Sequence, residues 1–140
     1  MKLILVCSGN TCRSPMAEAI FKRKFHDKAE IISRGLYVPE NIHASFNSEK
    51  AMDEIGLDIK NHISRQLTIP EAEEADLILT MTKTHKAMIL SACPGLKDKV
   101  FTLCEYAGID GDVPDPYGGD IEEYRRCARK IESAAEAIEL

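Results

Sequence analysis

The sequence predicts an α/β fold: a single domain, residues 1–140, with a parallel sheet covered by helices on both faces. Three observations lead there. Short apolar runs of strand length alternate with longer segments of helical periodicity. The first run is apolar at consecutive rather than alternate positions, as a strand buried on both faces requires. No repeat, low-complexity tract or linker interrupts the chain.

Along the chain, Lys2-Leu3-Ile4-Leu5-Val6 reads as the first strand and stops abruptly at Cys7-Ser8-Gly9-Asn10, where a loop opens. Beyond Arg13-Ser14-Pro15, apolar residues recur at Met16, Ala17, Ile20, Phe21 and Phe25. That spacing is helical, and a proline suits a first turn because the amide it lacks has no intrahelical partner there. Glu30 to Ser33, Asp76 to Met81 and Lys99 to Leu103 are further strand candidates. Between them, Asn47 to Ile55 reads as a helix closed by Gly56. Thr68-Ile69-Pro70-Glu71 has capping-box spacing, in which a hydroxyl and a carboxylate satisfy free amides at a helix start. Thr84 to Ala92 is a helical run that stops before Pro94-Gly95, and Ala107 to Gly119, rich in Gly, Pro and Asp, reads as irregular. Near the C-terminus, Ile121, Tyr124, Cys127, Ala128, Ile131, Ala135 and Ile138 form one apolar stripe at three- and four-residue steps, a helix that packs on the sheet.

A chain of 140 residues can bury a core without disulfides or metals. Its 44% apolar and 29% charged residues exclude a disordered or fibrous class. A net charge of -5 with no Lys/Arg stripe argues against a nucleic-acid partner, which would be held by cations that displace counterions. The apolar opening is too short for a signal-peptide core, and no later run is long enough to cross a bilayer, so a cytoplasmic protein with no membrane partner is expected. Five cysteines without a C-x-x-C pair suit neither a secreted disulfide framework nor a four-thiolate zinc site. Cys93, Cys104 and Cys127 lack metal-ligand spacing and read as structural, no cofactor is implied, and a monomer is the expected state.

Chemistry concentrates in Cys7-Ser8-Gly9-Asn10-Thr11-Cys12-Arg13-Ser14, which sets a thiol and a guanidinium at the two ends of a short polar loop. A loop curled around a phosphoryl group can turn several amides inward while the following helix adds its positive end. Gly9 permits close approach and Asn10 tolerates left-handed geometry. Arg13 can give two parallel hydrogen bonds to phosphoryl oxygens, a geometry lysine does not reproduce. The same donors would favour the thiolate of Cys7, aimed at phosphorus, and Ser14 can donate to that thiolate and help it leave. A departing group needs a proton, and Asp115, in a loop stiffened by Pro114 and Pro116, is the candidate acid and the later base for water. His43 and His85 read as solvated or capping residues.

The string from Val6 to Pro15 resembles the phosphate loop of the low-molecular-weight protein tyrosine phosphatases, and Asp115-Pro116-Tyr117 resembles their acid motif. The likeness spans essentially the whole chain. It implies a four-stranded parallel sheet, metal-independent catalysis on phosphorylated proteins, and the roles given above to Cys7, Arg13 and Asp115. It also implies that Ser33 and His62 support Asn10 from behind the loop, and that Cys12 either packs or forms a reversible disulfide with Cys7. Ser33-Arg34-Gly35 departs from the family pattern, which has a small residue where Arg34 stands.

Tyrosine-directed members usually carry a bulkier aliphatic residue at the position of Thr11. Gly9-Asn10-Thr11-Cys12-Arg13, Val100-Phe101-Thr102-Leu103 and Asp115 to Gly119 resemble instead the bacterial protein arginine phosphatase branch. A planar, polar guanidinium fits a wall of hydroxyl and carboxylate groups better than a phenyl ring does. The expectation is therefore a phosphoarginine phosphatase, with a phosphotyrosine phosphatase as the alternative. An arsenate reductase would need relay cysteines, and a phosphate-binding module would need neither nucleophile nor acid.

Overall fold

A computed structural model describes residues 1–140. Four parallel strands, β1 (Lys2–Cys7), β2 (Glu30–Gly35), β3 (Leu77–Thr80) and β4 (Val100–Thr102), lie in the order β2-β1-β3-β4. The chain steps from β1 outward to β2 and then crosses back to β3 on the other side of β1. Such a reversal opens a crevice at the carboxyl end of the central strand, and Cys7 is the last residue of that strand.

Strand periodicity divides the core. Leu3, Leu5 and Cys7 point to one layer with α1 (Arg13–Phe25), α2 (Phe46–Glu54), α5 (Leu103–Ala107) and α6 (Ile121–Ala137). Ile4 and Val6 point to the other, where Ala72 of α3 (Ile69–Glu74) and Ile89 of α4 (Lys83–Ala92) cover them. The larger layer holds 27 buried residues and the smaller 7, so the nucleophile candidate is rooted in the thicker side of the molecule. The C-terminal stripe is buried at Tyr124, Cys127, Ala128, Ile131 and Ala135, as its spacing predicts, and α1 and α6 pack together.

Helix starts are capped by side chains: Ser45, Thr68, Thr82, Thr102 and Asp120 each accept a backbone amide. The start of α1 has no such cap. The fourth strand differs from expectation. Lys99 to Leu103 reads as strand, yet β4 spans only Val100–Thr102, because Thr102 and Glu105 form a reciprocal capping box that starts α5 at Leu103. The second strand runs two residues past Ser33 to Gly35. A Cβ on Gly35 would stand 2.9 Å from the Ser8 carbonyl oxygen, so glycine there lets strand and loop touch.

Candidate active site

The turn between β1 and α1 runs from Cys7 to Arg13. Asn10 has φ of 58°, the one non-glycine residue of the chain in left-handed geometry. That conformation curls the loop, and the amides of Ser8, Gly9, Asn10, Thr11 and Cys12 donate to no protein acceptor. Loop amides without protein acceptors, followed by an uncapped helix start, make a concave donor surface for an anion.

Asn10 is fully buried and holds this shape from behind. Its Nδ2 donates to Ser14 Oγ at 2.7 Å and to Ser33 Oγ at 3.0 Å, while its Oδ1 accepts the Arg65 amide at 3.0 Å. His62 Nε2 donates to the Asn10 carbonyl at 2.7 Å, and burial lowers the pKa of this imidazole, favouring the neutral form. Ser33 Oγ in turn donates to Glu18 Oε1 at 2.6 Å. At the departing position Arg34, the side chain turns away and pairs with Glu71 at 2.8 Å. Having accepted from Asn10, Ser14 can donate to Cys7 Sγ, 3.0 Å away, with the Arg34 carbonyl a more distant acceptor at 3.5 Å.

Arg13 is 4% exposed. Its Nη1 donates to the Val113 carbonyl at 3.1 Å, its Nη2 lies 3.6 Å from Asp115 Oδ2, and its buried Nε has no protein partner. The guanidinium is thus fixed on one edge with a donor to spare. Asp115 Oδ1 accepts the Tyr117 amide at 3.0 Å, an Asx turn that sets the carboxylate direction while the side chain stays about half exposed. Cys7, Ser8, Thr11, Arg13, Asp115 and Tyr117 line a single cavity of about 210 Å³, together with Gly9 and Cys12.

The structure therefore brings thiol, guanidinium and carboxylate to one cavity and places Asn10, Ser14, Ser33 and His62 behind it. Cys93 and Cys104 do not line it. All five cysteines are free thiols, and Cys12 Sγ lies 3.5 Å from both Ser45 Oγ and Tyr124 Oη. Burial, with Cys12 beside it, pushes Tyr124 up to about 12.

His85 corrects the expectation of a solvated or capping side chain. The residue is 5% exposed, and Nε2 lies 2.8 Å from Ser8 Oγ. Burial, with the Arg13 charge next, lowers it to about 4, so it is neutral near pH 7. His85 and Ile89 lie one turn apart and are the buried residues of α4. Val113, Ser45 and Tyr124 were also missed, because their contacts join segments far apart in sequence.

Fold and site together define a cysteine-dependent phosphatase. The chain belongs to the low molecular weight phosphotyrosine protein phosphatase family, whose family model matches residues 2–139. It is 43% identical over 136 residues to a protein-arginine-phosphatase of Bacillus subtilis, covering 94% of this chain and 90% of the relative. With the low molecular weight protein-tyrosine-phosphatase PtpB of Staphylococcus aureus it shares 44% identity over 125 residues, 89% of this chain and 86% of the relative. The YwlE arginine phosphatase of Geobacillus stearothermophilus superposes with a TM-score of 0.91 at 39% identity, over 97% of this chain and 88% of that one.

Proposed function

We propose that this protein is a cytoplasmic protein phosphatase that hydrolyses phosphoarginine through a phospho-cysteine intermediate at Cys7, and that it works as a monomer without nucleic acid, membrane or cofactor. No helix is long and apolar enough to cross a membrane, which is compatible with that location.

The phosphoryl group sits against the loop amides, with Arg13 donating to two of its oxygens. The Cys7 thiolate attacks phosphorus, an S–P bond forms, the P–N bond to the substrate guanidine breaks, and protonated Asp115 gives its proton to that nitrogen. Water then attacks phosphorus with Asp115 as base. The S–P bond breaks, and Cys7 leaves as a thiolate that Ser14 steadies from 3.0 Å.

One observation carries the choice of substrate: the Thr11 hydroxyl and the Asp115 carboxylate line the same cavity as Cys7 and Arg13. Polar walls supply partners to guanidinium donors that an aliphatic wall would leave unpaired. The names of the Bacillus and Geobacillus relatives point the same way. Phosphotyrosine is the second reading, favoured by Tyr117, an 80% exposed aromatic at the cavity rim.

Turnover of phosphoarginine and phosphotyrosine peptides by wild type and Thr11→Ile tests the choice. Wild type is expected to prefer phosphoarginine and the variant to lose that preference; an unchanged preference would refute the role of Thr11.

A further inference from the structure

His85 has no place in the chemistry just described, yet its ring is among the few buried polar groups of the chain. It sits in the first turn of α4, whose start is fixed by Thr82, so the imidazole is held beside the end of β3, next to the carboxyl end of β1. Its partner, Ser8 Oγ, belongs to the residue directly after the nucleophile. The Ser8 carbonyl also accepts the Tyr37 amide at 3.0 Å, so Ser8 is gripped by backbone on one side and by imidazole on the other.

The direction of the bond follows the tautomer of the ring. Nδ1 is buried with no protein partner. The tautomer with its proton on Nε2 leaves no orphaned N–H at Nδ1, and in that tautomer Ser8 Oγ is the acceptor. An oxygen that receives this bond keeps its own hydrogen free, and Ser8 lines the cavity with Cys7 and Arg13.

We propose that His85 is a positioning residue that acts through Ser8: it fixes the first turn of the phosphate loop and leaves the Ser8 hydroxyl free to donate to the phosphoryl group. This rests on the phospho-cysteine reading of the site. The neutrality of the ring supports it, since an imidazolium beside Arg13 would set a second cation against the first.

A double-mutant cycle tests the inference, read as kcat/KM for an aryl phosphate and as competitive inhibition by inorganic phosphate. The variants are Ser8→Ala, His85→Leu, Ser8→Ala/His85→Leu, His85→Asn and His85→Gln. Loss of one such bond corresponds to about a tenfold effect. Ser8→Ala and His85→Leu should each lower kcat/KM by about that factor and weaken phosphate inhibition in parallel, and the double variant should be no worse than either single one. His85→Gln, which offers an N–H near the Nε2 position, should recover most of the loss, whereas the shorter His85→Asn should not. The Gln/Asn contrast stands even where His85→Leu fails to fold. Multiplicative losses in the double variant, equal activity of the Gln and Asn variants, or unchanged phosphate inhibition would overturn the role of His85. If the aryl phosphate activity survived Cys7→Ser, the phospho-cysteine reading would fall as well; additivity with full dependence on Cys7 would remove only His85.

Discussion

Replacing Asn10 by Ala tests how the loop is held. The substitution removes three side-chain hydrogen bonds at a fully buried position: two donated to Ser14 and Ser33, and one accepted from the Arg65 amide. Each contributes about 1 kcal/mol. Alanine must also adopt φ of 58°, where its Cβ crowds the following carbonyl at a cost of about 1 kcal/mol, whereas asparagine visits that region more readily. The expected loss is about 4 kcal/mol, a large fraction of the roughly 5–15 kcal/mol that holds a domain together, and a fall in Tm on the order of 15 °C. Urea unfolding followed by circular dichroism measures it. In conditions where the variant is still folded, kcat/KM should fall by at least about tenfold, because the free amides lose their common direction. A loss below about 1 kcal/mol with normal activity would refute the idea that Asn10 organises the loop.

Arg13→Lys replaces a two-pronged donor by a point charge and leaves the Val113 carbonyl without its partner; kcat/KM should drop on the order of 10²- to 10⁴-fold, and a drop under tenfold would contradict the clamp. Asp115→Asn should cost about 10²- to 10⁴-fold with poor leaving groups and far less with an activated nitrophenolate, so a series of aryl phosphates should show a steeper leaving-group dependence in the variant. Equal losses across the series would show that Asp115 is not the acid. Acid should destabilise the fold through His85, whose folded value of about 4 lies below the ordinary 6.5. A depressed value means that the unfolded chain binds the proton first, so this contribution is present above pH 6.5 and is lost as pH falls toward 4, by up to about 3 kcal/mol. The charges of Asp112, Asp115 and Arg13 act on the ring, and His85→Gln should flatten this part of the curve in urea unfolding at successive pH values, whereas parallel curves would contradict it.

Periodicity is local information, and it located most elements within a residue or two. The consecutive apolar run of β1 and the stripe from Ile121 to Ile138 both fold as their spacing implies. At Leu103 it failed, where apolar character says strand and the Thr102–Glu105 pair says helix start; the capping box decides because it satisfies amides that a fourth strand residue would leave free. The site divides along the same line. That Cys7, Arg13 and Asp115 share one cavity was legible, because a phosphoryl group calls for a thiol, a planar cation and a carboxylate in recognisable motifs. His85 was not, since it meets Ser8 across 77 residues of sequence, and only the pairing of β1 with β3 brings the two together. Val113 meets Arg13 across 100 residues and was equally invisible.

Every role assigned here follows from sulfur attacking phosphorus. Mixing enzyme with a phosphoarginine peptide, quenching within milliseconds and mapping the phosphoryl group by peptide mass spectrometry tests that step directly. The phosphoryl group should appear on Cys7 of the wild type, and turnover should be lost in Cys7→Ser. Hydrolysis that continues undiminished in Cys7→Ser, with no phosphoryl group on Cys7 in the wild type, would contradict the account.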